Sequence, residues 1–388
     1  MWTFIKKENS YCSNNVDCVR YSMNSSHSPK IIAVAGGKGG VGKTVFACML
    51  CMCLAGFKKR TILVDLDFSG ANIKDYLNVP NTEKSLNTYF AGRSVNLTDI
   101  IQKTLFDKLD AITLQSEFVD KRSVQSWQKR QLLKDLHKLK ADYIVLDLGA
   151  ASSNVALDCF LSADFPILLS TNDMFSIVNA YSFIRSAVLR RFKRQFYDSP
   201  QILRLLDGCG LLVDGKSIKP LRSVMDQLEM QNNHKLVGLE HIWDFQPKVV
   251  LNFARENERF DDLFLLGPVT KDLLNVDLDY WGHIRFDDAV RSAVRSRRPD
   301  KFLGATGKAS EDVVRFVVRN FIASEVRASD PKSATWIDKD VNLLSIFDEK
   351  DSMICTPNCL LWNSCELRSE NGACSRMNLE LVKKSDSS

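Results

Sequence analysis

The feature that most constrains the fold of this chain is a glycine-rich loop between two apolar segments. Residues 37–44 read GKGGVGKT, after the β-branched run IIAVA at 31–35 and before an apolar, helical stretch at 43–57. Glycine is required in such a loop wherever a Cβ would block a close approach or the backbone needs a positive φ. Successive backbone N–H groups then point at one anion, and the following helix adds the positive end of its dipole. This order of strand, loop and helix predicts a phosphate-binding P-loop.

The residues of the loop have expected roles toward a nucleoside triphosphate. Lys43 is expected to reach the β and γ phosphates, and the Thr44 hydroxyl is expected to coordinate Mg²⁺. The alternative is a glycine-rich turn that binds nothing, which the strand before it and the helix after it disfavour. The predicted nucleotide-binding residues of the loop are Gly37, Lys38, Gly39, Gly40, Val41, Gly42, Lys43, Thr44 and Val45.

Short apolar strands alternate with helical patterns along the rest of the chain. The later strands are predicted at 61–67, 111–114, 143–148, 166–170, 248–253 and 280–284. The later helices are predicted near 123–139, 154–162, 175–196, 260–275 and 287–296. Strands that are apolar along their whole length are typical of a parallel sheet covered on both faces. The predicted fold class is therefore α/β, a mostly parallel, doubly wound P-loop NTPase sheet with helices on both faces.

Composition divides the chain into a folded domain and less ordered flanks. Residues 1–30 mix polar residues with isolated apolar ones, which predicts a disordered leader. The P-loop ATPase domain is predicted at 31–327, with a leucine-rich helical insertion at about 200–245. A polar linker at 328–351 and a cysteine-containing tail at 352–388 are predicted to follow.

Two further features bear on the cellular compartment. The longest uninterrupted apolar stretch, 45–56, is shorter than the roughly 20 residues that a membrane-spanning helix needs. The N-terminus lacks the continuous apolar core of a secretory signal. We therefore expect a cytoplasmic protein, whose 11 cysteines are mostly thiols.

The charged residues include one candidate interaction surface. The chain has 52 basic and 47 acidic residues, and a net charge of +5 is too small to indicate nucleic-acid binding by itself. The predicted helix at 181–197 nevertheless concentrates five basic residues, which are Arg185, Arg190, Arg191, Lys193 and Arg194. Such a patch fits nonspecific DNA or an acidic membrane surface, and the alternative is an ordinary solvated helix face.

Aspartates end two of the predicted strands. Asp65 and Asp67 close the run TILVDLD, and Asp147 closes YIVLDL. Ligands of open α/β sheets bind at the carboxyl ends of the strands, so Thr44, Asp67 and Asp147 are the predicted Mg²⁺ site. Asp147 has the position of a Walker B aspartate, and Asp65 either joins the site or supports it. The alternative for such strand-end aspartates is a turn or helix-cap role.

These motifs together resemble one family. In KGGVGKT, Lys38 stands at the start of the loop in addition to Lys43 at its end, which resembles the deviant Walker A motif of the MinD/ParA family. VDLDFSGANIKDYLNV is similar to switch I of that family's MinD and FlhG branch, and DYIVLDLGA to its Walker B and switch II region. The resemblance resumes at PKVVLNFAR and GHIRFDDAVRSAVRSRRP and spans most of 31–300. It departs from the family at IRFD, 284–287, where many relatives have a proline-containing turn.

The resemblance implies an ATP-dependent homodimer. In such a dimer Lys38 crosses to the nucleotide of the partner, Asp67 helps to position the attacking water, and Asn252 contacts the adenine base. For Asn252 the alternative is a strand-end turn residue. A second cation beside the transferred phosphoryl group stabilises developing charge as an arginine finger does, with effects on the order of 10³ in rate. Lys38 and Asp67 are therefore the predicted catalytic residues.

The resemblance also predicts a cellular role. A slow ATP hydrolase, stimulated by an unknown activating protein, is expected to cycle between ATP dimer and ADP monomer. It would regulate the position of cellular machinery, such as the division site, flagella or chromosome, and would be peripheral at the membrane or nucleoid. The alternatives are an ATP-dependent metal or iron–sulfur cluster carrier and a weakly hydrolysing ATP-binding scaffold.

The tail carries a candidate metal site of its own. Four cysteines, Cys355, Cys359, Cys365 and Cys374, lie in a segment that is otherwise poor in apolar residues. Four thiolates can enclose Zn²⁺ or an iron–sulfur cluster, although no CxxC pair is present. The alternative is free thiols in a flexible tail.

Overall fold

The structure, a computed structural model, describes residues 28–323 except 69, 71–72, 81–82, 84, 92–94, 116–123, 150–152, 208, 211–218, 231–243, 256–257, 259 and 304–306. Within these residues eight strands form one sheet: β1 (Lys30–Gly36), β2 (Thr61–Leu66), β3 (Gln102–Lys103), β4 (Leu109–Ile112), β5 (Tyr143–Leu148), β6 (Phe165–Ser170), β7 (Lys248–Ala254) and β8 (Asp279–Arg285). Their order is β3-β4-β2-β5-β1-β6-β7-β8, which places β1 and its loop near the middle of the sheet.

Each of the seven predicted strands is present, with ends that differ from the prediction by at most two residues. All neighbouring strands pair in parallel except the edge strand β3, which is antiparallel to β4. β3 was not predicted because a strand of two residues, Gln102 and Lys103, has no periodicity to detect.

Helices connect the strands. In the described part of the chain they are α1 (Lys43–Gly56), α2 (Ile73–Leu77), α3 (Leu86–Ala91), α4 (Ser126–Leu136), α5 (Asn154–Ser162), α6 (Met174–Gln195), α7 (Pro200–Leu206), α8 (Leu221–Met230), α9 (Asp261–Leu274), α10 (Asp288–Arg295) and α11 (Lys308–Val317). α11 continues as a short π-helical segment, Val318–Ile322.

The apolar core lies in two layers, one on each face of the sheet. Alternate side chains of a strand point to opposite faces. In β1, Ile31, Ala33 and Ala35 pack in the cluster that holds the buried residues of α3 to α9. Ile32 and Val34 pack in the second cluster, with α1, α2 and α11. This arrangement confirms the predicted fold class.

The segment predicted as a helical insertion is partly described. Its two described helices, α7 and α8, bury Ile202, Leu206, Leu221 and Val224 in the same cluster as the sheet, so they extend its core. The leader up to residue 27, the linker and the four tail cysteines lie outside the described residues. Their domain and metal-site assignments stay predictions.

None of the helices in the described ranges is both long enough and apolar enough to span a bilayer.

Candidate functional site

The loop between β1 and α1 has the backbone of an anion cradle. Gly40 and Gly42 have φ values of 82° and 84°, in the left-handed region that favours glycine. A Cβ on Gly37 would lie 2.1 Å from the backbone of Asn179 in α6. Gly42 is also the N-cap of α1 and offers its first turn no side-chain acceptor, so those N–H groups face the loop. The loop therefore has the shape and polarity that a phosphate group requires.

Lys43 lies beneath this loop. It is 7% exposed, and its Nζ donates to the Lys38 carbonyl at 3.3 Å. Burial lowers the pKa of Lys43, while the neighbouring Asp147 and Asp67 raise it. A single ammonium thus stands between the loop carbonyl and two carboxylates, where a phosphate is expected to bind.

Asp65 and Asp147 lie side by side at the carboxyl ends of β2 and β5. The parallel register pairs them directly, and each is 1% exposed. Burial raises the pKa of Asp147 to about 8, and the charge of Asp65 adds to that rise. The hydrogen bond from the Thr44 hydroxyl and the positive charge of the Lys43 ammonium both lower the pKa of Asp147.

Asp65 supports the turn that carries Asp67. Its Oδ1 accepts from the N–H of Asp67 at 3.1 Å, and its Oδ2 accepts from the N–H of Ile73 at 3.4 Å. The Asp67 carboxylate packs against Gly149, where a Cβ would lie 2.5 Å from Asp67 Oδ1. Asp65 is thus a positioning residue, and Asp67 and Asp147 lie on adjacent segments of the same sheet edge.

The residues at this edge fit a Mg²⁺ ion. Asp147 Oδ1 is buried and has no hydrogen-bond partner among the described residues, a costly arrangement unless a cation or water is bound. The Thr44 hydroxyl bonds the same carboxylate. No group of three or more His, Cys, Asp or Glu in the described ranges is arranged as a metal site. Mg²⁺ needs no such group, because it usually takes one or two protein ligands together with phosphate and water oxygens.

Lys38 lies at the surface. Its side chain is 44% exposed, and its Nζ lies 3.4 Å from Oδ1 of Asp173, which is itself 46% exposed. Asp173 is the N-cap of α6 and accepts from the N–H of Ser176 at 2.9 Å. The Thr171 hydroxyl, together with Ser176 and Lys38, holds the pKa of Asp173 below its ordinary value. The two lysines of the loop therefore have opposite environments.

Comparisons with known proteins agree with this geometry. A family model described as an AAA domain matches residues 29–196, from β1 through α6. The antiactivator FleN of Pseudomonas aeruginosa is 25% identical over 279 residues, which cover 71% of this chain and 80% of FleN. The septum site-determining protein MinD of Bacillus subtilis is 27% identical over 150 residues, which cover 38% of this chain and 56% of that MinD.

A solved structure shows the same fold. The septum site-determining protein MinD of Pyrococcus horikoshii, complexed with Mg-ADP, has a TM-score of 0.52 and 19% identity, and covers 76% of this chain and 98% of its own. These comparisons support the resemblance of the chain to the MinD/ParA family of P-loop ATPases. The resemblance inferred from the two lysines of the loop is thereby confirmed.

Asn252 connects β7 to the P-loop. Its Nδ2 donates to the Val41 carbonyl at 2.8 Å, and the residue is 5% exposed. A Cβ on Gly42 would lie 2.4 Å from the same Nδ2, so the close approach requires glycine there. The predicted contact of Asn252 with the adenine base stays a prediction.

A cleft of about 360 Å³ opens beside the P-loop. Its walls include residues 38–41 of the loop, residues 171–173 after β6, Phe253 near the end of β7 and Phe286 directly after β8. Sequence reasoning did not find Asp173 or the two phenylalanines, because their role depends on contacts between distant segments.

An apolar patch on the first turns of α6 also escaped the sequence analysis. Met174, Phe175 and Val178 are 56%, 76% and 53% exposed. They follow Asp173 directly and so lie next to the surface lysine of the loop. The spacing i, i+1, i+4 was visible in the sequence as a second apolar stripe on a helix whose other face is buried.

The basic residues of α6 are largely engaged within the molecule. Most of them contact an oxygen: Arg190 and Arg194 contact Asp158, Lys193 contacts Asp207, and Arg185 donates to the Cys209 carbonyl. The helix therefore offers less uncompensated positive charge to DNA or a membrane than its sequence indicates.

Proposed function

We propose that this chain hydrolyses ATP slowly, cycling between an ATP-bound dimer and an ADP-bound monomer. The observation that carries the proposal is the contrast between the two lysines of one loop. Lys43 is buried at 7% exposure, whereas the Lys38 side chain is 44% exposed at the rim of the cleft. A buried lysine serves the nucleotide of its own subunit, whereas an exposed one is placed to serve a nucleotide on a second subunit.

The residues of the cleft have distinct parts in this reaction. The loop N–H groups and Lys43 bind the β and γ phosphates, while Thr44 and Asp147 would hold Mg²⁺. Mg²⁺, when bound, neutralises charge on the phosphate oxygens. Asp67 orients the attacking water, and its place is maintained by Asp65. Lys38 of the second subunit stabilises the charge that develops on the transferred phosphoryl group.

The apolar patch on the first turns of α6 supports association through the face that carries Lys38. Met174, Phe175 and Val178 adjoin Asp173, the partner of Lys38, so a second copy that receives Lys38 would also cover these side chains. Apolar side chains grouped beside a polar rim are typical of interaction sites. Dimerisation would bury them only while both nucleotides are bound.

The names of two similar proteins support a proposal for the cellular role. FleN is named an antiactivator and the MinD of Bacillus subtilis a septum site-determining protein, and both names describe regulation. For this chain we propose regulated positioning of cellular machinery by a cytoplasmic protein that becomes peripheral at a membrane or nucleoid. An activating protein would accelerate the slow hydrolysis.

The proposal is tested by light scattering and phosphate release on the full chain. Scattering should report dimers with MgATP and monomers with MgADP. Asp67→Ala should keep ATP bound, slow hydrolysis and accumulate the dimer, because the water loses its orienting carboxylate. Asp272→Ala, at an exposed position on α9, is the matched control and should behave as wild type.

Other outcomes distinguish the alternatives. Wild-type turnover in Asp67→Ala would reject the water-positioning role. ATP binding with neither dimerisation nor phosphate release would favour a scaffold. Visible absorbance that disappears when the tail cysteines are changed to serine would favour a metal-cluster carrier.

A further inference from the structure

One helix of the outer layer, α9, is apolar on both of its faces. The face towards the sheet buries three leucines: Leu263, Leu266 and Leu274. The opposite face exposes four apolar side chains: Phe264, Leu265, Pro268 and Val269. We call this exposed group the α9 patch. Because a helix that is apolar all round is typical of a buried position, the α9 patch has the composition of a surface that another segment covers.

The α9 patch lies beside the amino end of the edge strand β8. The ring centroids of Phe264 and Tyr280 are 5.7 Å apart, and the Tyr280 hydroxyl donates to the Leu263 carbonyl at 3.1 Å. Tyr280 is the second residue of β8, which is the last strand on this side of the sheet among the described residues. The patch therefore lies at the outer edge of the described sheet.

The described part of the chain ends at the same edge. Its last residues, 318–323, follow α11, and the Phe321 ring lies 5.8 Å from that of Trp281, the third residue of β8. Tyr280 packs against the core cluster that includes α9, whereas Trp281 packs against the cluster that includes α11. The chain therefore leaves the described region on the other face of the sheet, separated from the α9 patch by β8.

An apolar segment follows this point in the sequence. Residues 341–347 read VNLLSIF, the first run after residue 323 in which five of seven residues are apolar. Charged residues precede it at 338–340 and follow it at 348–351. Residues 324–340 span up to about 55 Å when extended, and neighbouring strands are only about 4.8 Å apart. The segment can therefore pass around β8 and reach the α9 patch.

The position of the chain exit favours the α9 patch over the exposed apolar side chains of α6. Phe321 also contacts Tyr143 and Phe165, the first residues of β5 and β6, at ring distances of 5.7 Å and 5.1 Å. The exit thus lies at the amino ends of the strands. The first turns of α6 lie beside the P-loop at the carboxyl ends, about 20 Å away along a strand of six residues. The α9 patch shares the amino end with the exit.

We propose that residues 341–347 of the same chain dock on the α9 patch. Removal of apolar surface from water drives this contact, since side chains of the segment cover Phe264, Leu265 and Val269. The connection through residues 324–340 makes the contact intramolecular, so it requires a lower intrinsic affinity than a separate partner would. The charged flanks of the segment stay in solvent. The proposal does not depend on nucleotide binding.

The first test is hydrogen–deuterium exchange of the full chain without nucleotide, read at residues 341–347. Docking slows exchange of these amides, and a charge placed in the patch should remove the protection. In Leu265→Asp and Val269→Asp we expect exchange of 341–347 at least about tenfold faster than in wild type. Leu105→Asp is the matched control, because Leu105 is 78% exposed near β4, towards the opposite edge of the sheet. Exchange in β5 checks that each variant is folded.

The reciprocal test changes the segment and leaves the folded domain intact. In Leu344→Asp the docked segment should be released, so Phe264, Leu265 and Val269 become accessible. Hydroxyl-radical footprinting measures oxidation of these side chains, and we expect faster oxidation in Leu344→Asp than in wild type. This variant decides the matter even if a change in α9 prevents folding.

Slow exchange of 341–347 in wild type, its loss in both α9 variants and faster oxidation of the patch in Leu344→Asp would support the docking. Exchange of 341–347 in wild type at the rate of an unstructured peptide would overturn it. Slow exchange that both α9 variants leave unchanged, or oxidation of the patch that Leu344→Asp leaves unchanged, would place the segment elsewhere and also overturn it. Protection that disappears on dilution would assign the patch to a second copy instead.

Discussion

Among the single residues of the site, Lys38 and Asp173 form an exposed ion pair at the rim of the cleft. Their charged atoms lie 3.4 Å apart, although the residues are separated by 135 positions in the chain. Both side chains are about half exposed, so solvent screens the pair and its energy is small, about 0.2–1 kcal/mol. In the monomer this pair competes with the proposed transfer of Lys38 to a second subunit.

Removing the charge of Asp173 should therefore favour the dimer. Asp173→Asn keeps an N-cap side chain for α6, because asparagine caps a helix as well as aspartate does. We expect the ATP concentration needed for half-maximal dimerisation to fall by up to about fivefold, measured by light scattering. Asp300→Asn removes a comparable exposed pair with Arg298 and should change nothing. A weaker dimer in Asp173→Asn would show that Asp173 itself contacts the second subunit.

At the scale of elements, the P-loop and α6 approach each other so closely that one glycine is essential. A Cβ on Gly37 would lie 2.1 Å from the carbonyl group of Asn179, and backbone atoms cannot move aside as a flexible side chain can. A Cβ on Gly39 would meet nothing within 4 Å. Two glycines two positions apart thus have different structural requirements.

The two alanine variants should accordingly differ in stability. Gly37→Ala is expected to lower the free energy of unfolding by about 3 kcal/mol, because α6 must move away from the loop. Gly39→Ala should remain within about 0.5 kcal/mol of wild type. Urea unfolding of both variants measures the difference. Equal stabilities would mean that α6 does not pack against the loop as described.

The second test at this scale concerns the buried cluster that joins α4, α5 and α6. Asp158 is 6% exposed and accepts from Lys129 Nζ at 3.1 Å and from Arg190 Nη2 at 2.6 Å. Burial opposes ionisation of Asp158, but the hydrogen bonds and charges of Arg190 and Lys129 outweigh it, so the pKa lies below the ordinary 3.8. Arg194 also contacts Asp158, so one carboxylate compensates three cations, of which Lys129 is buried.

Asp158→Ala should destabilise the protein by about 3 kcal/mol, because it leaves Lys129 buried without its partner. Asp207→Ala removes the exposed pair with Lys193 and should cost less than about 1 kcal/mol. A carboxylate with a lowered pKa stabilises the fold above its unfolded pKa and loses that contribution as the pH falls. The stability gap between wild type and Asp158→Ala should therefore narrow below pH 3.8. A gap that is constant with pH would exclude an ionised Asp158.

At the scale of the whole molecule, the sheet was predictable and the cleft was only partly so. Strands that are apolar along their length, such as β5, carry their signal within six residues. The P-loop has the same advantage, because its glycines and Lys43 are consecutive in the sequence. The fold class and the placement of Asp67 and Asp147 at one sheet edge followed from such local patterns.

The remaining features depend on pairs of distant segments. The bulge at Phe253 exists only relative to β8. The partner of Lys38, Asp173, precedes a helix that is separated from the P-loop by five strands in the sequence. The positive charge of α6 was visible in the sequence. Its compensation by Asp158 could not be predicted, because it depends on the packing of α5 against α6. Periodicity in the sequence indicates which face of a strand or helix is apolar. It does not indicate which residue of another element packs against that face.

The proposed ATP-dependent dimer requires that Lys38 acts on the nucleotide of a second subunit. The most direct measurement is phosphate release from a mixture of Lys38→Ala and Asp67→Ala, each inactive alone. In a mixed dimer, the site of the Lys38→Ala subunit keeps its own Asp67 and receives Lys38 from its partner. We predict that the equimolar mixture hydrolyses ATP at least about tenfold faster than the sum of the separate variants. Lys38→Ala mixed with the Lys38→Ala/Asp67→Ala double variant should show no such gain. A rate equal to that sum, from variants that still bind ATP, would contradict action across the dimer.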